Sequence, residues 1–130
     1  MAIEGAVGIA QGDLVFRRLD GDVEIAEGRS EGAAYPLESM AAGFVRVDAG
    51  SVVEVVNVND EVLYLLEGRF EMACEGRSAV VDAGGLVYIR RGVSFKATFH
   101  QASSLLWVGH SSADVAVMLE TWDERRADTT

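Results

Sequence analysis

Short runs of alternating apolar and polar residues recur along the chain, and turn-forming residues break them about every eight to twelve positions. Candidate strands span residues 14–19, 22–26, 43–48, 51–58, 61–66, 69–75, 77–82, 86–90, 93–100, 103–109 and 114–121. Between them lie Asp20-Gly21, Glu67-Gly68, Glu75-Gly76 and Gly84-Gly85, whose glycines permit the positive φ that tight hairpins require. Helical periodicity has little support. About ten short strands in so small a chain must close into a barrel or stack as a sandwich, because an open sheet leaves its edges and one face uncovered. The expected fold class is therefore all-β.

Residues 27–38 (EGRSEGAAYPLE) are polar, glycine-rich and interrupted by Pro36, which reads as a loop or arm. The expected organisation is one domain. Residues 1–41 supply N-terminal strands and an arm that packs on a barrel of residues 42–122, and the charged tail 123–130 frays.

Composition narrows the function classes. Of 130 residues 49% are hydrophobic, enough for a packed core, and 21 acidic against 11 basic residues give a formal charge of −10. That sign opposes binding to nucleic acid or to an anionic membrane surface, so neither is an expected partner. The amino end lacks a basic start followed by a long apolar stretch, and no apolar run approaches the roughly 20 residues that span a bilayer, so a cytoplasmic location is expected. Cys74 is the single cysteine, and His100 and His110 are the two histidines, in no recognised ligand spacing. No metal or other cofactor is expected. Chemistry must rest on carboxylates, amides, arginines and tyrosines.

From Met40 onward the order of features becomes specific. Glu61, Tyr64 and Gly68, followed by Gly84-Gly85, Gly92 and Phe95, fit the frame of the two cupin motifs, and the chain resembles a single-domain cupin. The motif positions that hold metal-binding histidines fall on Val55, Asn57 and Phe95, and only the glutamate, Glu61, is kept. Within cupins it is similar to the ethanolamine-utilisation (EutQ) group, through Met40-Ala41-Ala42-Gly43-Phe44, Asp60-Glu61 and Leu105-Leu106-Trp107-Val108. The resemblance covers about residues 40–110 and implies a jelly-roll barrel, the double-stranded β-helix. It also implies a role in ethanolamine catabolism, with an acetate-kinase-type activity.

Alternation along 51–58 leaves two registers open. In one, Val56 and Val58 face the core while Asn57 and Asn59 face water. In the other, which the cupin frame favours, Val53, Val55, Asn57 and Asn59 face the barrel interior, and Glu61 opens the next strand beside them. Val56 and Val58 then pack on a second sheet or a dimer partner. Two amides and a carboxylate in a cup otherwise lined by Phe95, Phe99, Leu63 and Leu65 would have the composition of a small-molecule site. Glu61 could then act as general acid or base, with Asn57 and Asn59 as donors to a developing oxyanion. Arg46, Val55, Tyr88, Phe95, Phe99 and Trp107 are the candidate substrate-binding residues.

The expected function is metal-independent acid–base chemistry on a small organic molecule, of the lyase, isomerase or cyclase type, in a homodimer. The alternatives are the ethanolamine-utilisation role with acyl-phosphate chemistry, and a barrel that binds a ligand without turnover. No glycine-rich loop leads into a helix to cradle a phosphate.

Overall fold

The alternating segments pair as antiparallel strands in the computed structural model, which describes residues 2–3, 6–7, 10, 12, 14–20, 23–27, 40–57 and 59–109. In chain order these are β1 (Ala2–Ile3), β2 (Ala6–Val7), β3 (Arg17–Asp20), β4 (Val23–Glu27), β5 (Ala41–Val47) and β6 (Val52–Val56). They continue with β7 (Glu61–Glu67), β8 (Arg69–Cys74), β9 (Arg77–Asp82), β10 (Leu86–Ile89), β11 (Ser94–Phe99) and β12 (Ser103–Gly109). No helix among the described residues is long and apolar enough to cross a membrane.

Two sheets carry the fold. One has six strands in the order β10-β7-β12-β5-β4-β3, and the other has four in the order β6-β11-β8-β9. Neighbours that are distant in sequence, such as β12 between β5 and β7, make this the jelly-roll arrangement of an all-β barrel. β1 and β2 pair only with each other.

Each sheet turns its apolar face inward. Val23 and Ile25 of β4, Val47 of β5, Leu65 of β7, Val87 and Ile89 of β10 and Leu105 of β12 are buried on the six-stranded side. Val55, Phe70, Val81, Phe95, Ala97 and Phe99 meet them from the four-stranded side. Leu65, Phe70, Val81 and Val87 belong to the same core cluster, in which the Phe70 and Phe99 rings stack with centroids 4.9 Å apart.

The turns follow the glycine pairs. Glu75 (φ 51°) and Gly76 (φ 77°) both take the left-handed region, as a two-residue hairpin of the I′ kind requires, and Cys74 faces Arg77 across it.

Strand ends differ from the alternation by one to three residues. The segment expected at 51–58 stops at Val56, that at 93–100 narrows to Ser94–Phe99, and that at 14–19 starts at Arg17 and runs to Asp20. β1 and β2 were not expected, since two residues are too few to show a period. The loop expected at 27–38 gives Glu27 to β4. Its remaining residues, the candidate strand 114–121, the tail 123–130, Val58 and His110 lie outside the described residues.

Candidate functional site

The inward side chains do not fill the barrel completely. A cavity of about 110 Å³ remains between the sheets. Valines and isoleucines of β4, β5 and β10 line one side, with Leu105 and Trp107 of β12. Val53, Val55, Phe95, Ala97 and Phe99 line the other, and Asn57 and Glu61 supply the carboxamide and the carboxylate.

Asn57 is placed by its backbone. Its N–H donates to the Val93 carbonyl (3.0 Å), and its own carbonyl accepts from the Gly92 N–H (2.7 Å) in a turn where Gly92 holds φ at 86°. The main chain is thus satisfied just past the end of β6, and the side chain continues the inward parity of Val53 and Val55. Asn57 is 2% exposed, and its Nδ2 has no hydrogen-bond partner among the described residues. The indole Nε1 of Trp107 shares that condition at 5% exposure. A buried donor without an acceptor costs about 1–3 kcal/mol, so both N–H groups favour an occupant that can accept from them.

Trp107 owes its place to Gly109. A β-carbon at Gly109 would come within 3.0 Å of indole Cζ2 and 3.4 Å of Nε1, so the absent side chain makes room for the ring. Trp107 faces Leu63 and Val108 faces Val62, and the next step of this register sets Gly109 opposite Glu61. The indole therefore leans along β12 toward the end of the barrel where Glu61 sits.

Glu61 is half-buried and lies opposite Ile89 at the first pair of β7 and β10. These two residues also line an outer cleft of about 370 Å³, with Met40, Asp60, Val62, Tyr88, Arg90, Val108 and Gly109. The Glu61 carboxylate thus stands at the boundary between cleft and cavity. The loop before it is held by the Arg91 N–H, which donates to Asp60 Oδ1 (2.8 Å).

Glu61, Asn57, Val55, Phe95, Phe99 and Trp107 are brought together in one lining. Five other residues named from the sequence lie outside that lining. Asn59 is half-buried but outside the lining, because β6 ends at Val56 and the alternation does not carry beyond Asn57. Arg46 is on the outer face of the six-stranded sheet, since Val45 and Val47 take the inward positions of β5. It stands opposite Glu24 in the register, 4.0 Å from it as an ion pair, and its guanidinium lies 3.5 Å over the Phe16 ring. Tyr88 is 75% exposed and lines the outer cleft, because Val87 and Ile89 take the inward parity of β10. Leu63 and Leu65 share the parity of Glu61 but pack into the core outside the cavity lining. Val56, expected to be covered by a sheet or a partner, is 40% exposed in the single chain. Lys96 and His100 are exposed, as their parity predicts.

Ile89 and the valines of β4 and β5 were missed as lining residues. The alternation that buries Val87 already placed Ile89 inside, and following that parity through 86–90 would have found it.

The described lining does not supply a metal-ligand set. A transition metal needs three or four imidazole, thiolate or carboxylate ligands. The described lining has one carboxylate, one carboxamide and an indole N–H, and no group of three or more His, Cys, Asp or Glu among the described residues could hold an ion.

The profile of the family described as ethanolamine utilisation protein EutQ matches residues 33–115, well over half of the chain. No curated protein matches in sequence. Among solved structures, a putative ethanolamine utilization protein Q from Salmonella typhimurium LT2 is similar at 27% identity and TM-score 0.61, over 73% of this chain and 77% of that one. EutQ from Clostridium difficile aligns at 14% identity and TM-score 0.55, over 80% of each chain. KdgF from a Halomonas species aligns at 16% identity and TM-score 0.66, over 78% of this chain and 92% of that one. A cupin barrel with EutQ proteins among its likenesses, matched by the EutQ profile from before β5 through β12, settles the grouping: the chain belongs to the EutQ family within the cupin superfamily.

Proposed function

We propose that the barrel binds a small organic molecule and that Glu61 moves a proton on it without a metal, in a step of the lyase, isomerase or cyclase type. The observation that carries this reading is one lining that holds a carboxylate residue and a buried, unpartnered amide N–H among mostly apolar side chains. In such a step the Glu61 carboxylate takes a proton from a carbon next to a carbonyl. The C–H electron pair moves toward the carbonyl oxygen, which gains negative charge, and the Asn57 N–H donates to it. Glu61, now a carboxylic acid, returns the proton to another atom of the same molecule, so an isomerisation balances without any co-reactant.

The low count of ligand atoms in the lining supports metal independence. Elemental analysis of the purified chain is expected to give well under one transition-metal ion per protomer. A full equivalent of iron, zinc or manganese would overturn that part of the reading.

The family supports a second reading, a part in ethanolamine utilisation. An acetate-kinase-type reaction would need cationic groups around its phosphates. Among the described residues no Arg, Lys or His lines the cavity, so such chemistry would use another part of the chain. A non-catalytic ligand sensor would instead hold one metabolite tightly without turnover. Mass spectrometry of ligand retained through gentle purification, followed by incubation of that compound with the protein in D₂O, separates the two. Deuterium uptake supports Glu61 chemistry, and retention without exchange supports the sensor.

A homodimer belongs to the same proposal. Leu86 and Tyr88, exposed on the outer face of β10, offer apolar area beside the cleft. Light scattering at micromolar concentration is expected to give twice the chain mass, and a monomer mass would exclude the dimer.

A further inference from the structure

We infer that the cavity takes an uncharged oxygen compound, such as a small ketone, lactone or ester, that brings acceptor oxygen to the buried donors Asn57 Nδ2 and Trp107 Nε1. This deepens the small-molecule reading above and rests on it.

The donors come first. Asn57 and Trp107 are 2% and 5% exposed, line the same cavity and lack acceptors among the described residues. Burial removes the bulk water that would otherwise satisfy them, so the favourable occupant brings acceptor oxygen to both. A hydroxyl or carbonyl oxygen has two lone pairs and can accept from two N–H groups at once.

Charge comes second. An anionic acceptor, such as a carboxylate or a phosphate, would make equally good hydrogen bonds but would lose its hydration on entry. Among the described lining residues there is no Arg, Lys or His to compensate that loss. The acceptor is therefore a neutral oxygen.

Size and shape come third. A dry cavity of about 150 Å³ holds benzene, so the cavity of about 110 Å³ here encloses a body of roughly four or five non-hydrogen atoms, and a slightly longer molecule extends toward the cleft at Glu61 and Ile89. Phe95, Phe99 and Ala97 offer only hydrocarbon to the rest of the ligand. Gly109 contributes indirectly, because a side chain there would press on the indole edge that carries Nε1.

The test uses the full chain, labelled with ¹⁵N, and three probes: cyclopentanone, its hydrocarbon counterpart methylenecyclopentane, and acetate. The readouts are the Trp107 indole N–H resonance, identified by its loss in Trp107→Phe, and the Asn57 carboxamide resonances. Cyclopentanone is expected to shift both sets in a saturable way and to bind about 3- to 10-fold more tightly than methylenecyclopentane, the increment of one or two neutral hydrogen bonds. Acetate is expected to leave them unmoved. Trp107→Phe is expected to lower cyclopentanone affinity about 3- to 10-fold while the hydrocarbon probe binds as before. Asn57→Leu gives the same contrast should the Phe variant fail to fold. Equal binding of ketone and hydrocarbon, or acetate shifting the same resonances, overturns the ligand class and leaves a binding barrel standing. Failure of every probe to bind overturns the barrel-binding reading with it.

Discussion

Glu61→Gln lowers kcat on the true substrate by about 10²- to 10⁴-fold, the range a positioned general base contributes. Glutamine keeps the length, planarity and most of the hydrogen-bonding capacity of the glutamate, so the lining keeps its shape and KM changes little. What is lost is a group that can take up a proton and give it back. Because Glu61 lies where cavity and cleft meet, the substitution removes charge without opening a hole in packed hydrocarbon. The acidic limb of the pH–rate profile, where the carboxylate becomes protonated and idle, should vanish with it. Unchanged turnover in this variant would falsify the assignment of Glu61 as the base.

Gly68→Ala is expected to destabilise the fold by about 3 kcal/mol or more, two effects adding at one position. Gly68 holds φ at 94°, where a β-carbon is strained. That β-carbon would also overlap Ser103 Oγ and lie 2.7 Å from the Ala102 carbonyl oxygen and 2.8 Å from Ser103 Cα. Backbone cannot swing aside as a side-chain tip can. Ser103 is itself held by its hydroxyl, which donates to the Gln101 carbonyl at 3.0 Å, and the pairing of β12 with β7 shifts register just beyond it. Gly84→Ala is the control, for Gly84 has nearly the same φ, 91°, but nothing within 4 Å of its added carbon. It should cost only about 1 kcal/mol. Urea unfolding of both variants measures the difference, and equal losses would show that the close approach of the β7–β8 turn to β12 is unimportant.

Much of this architecture is visible in local patterns. Residues 77–82 and 103–109 form strands with the bounds that alternation assigns, and for 77–82 the reason is a glycine turn at each end, at 75–76 and 83–84. The parity of β6 was legible only with the cupin frame. Periodicity alone prefers valines inside, and here Val56 is exposed while Asn57 is buried. Arg46 and Tyr88 were chosen for the chemistry they can do, but each sits one residue from two inward-facing neighbours, so strand geometry turns both outward. Depth along the barrel was not legible at all. Glu61, Leu63 and Leu65 share one face of β7, yet whether a position meets open space or Phe70 depends on strands far away in sequence. Trp107 shows the same limit. Its apolar strand suggests packing, whereas the room for its ring comes from Gly109, and its N–H finds no acceptor among the described residues.

Glu61 and Ile89 line both the inner cavity and the outer cleft. A molecule that passes from one space to the other by this route goes between an acid and a branched hydrocarbon, so side-chain bulk at Ile89 is a natural place for residence time to be set.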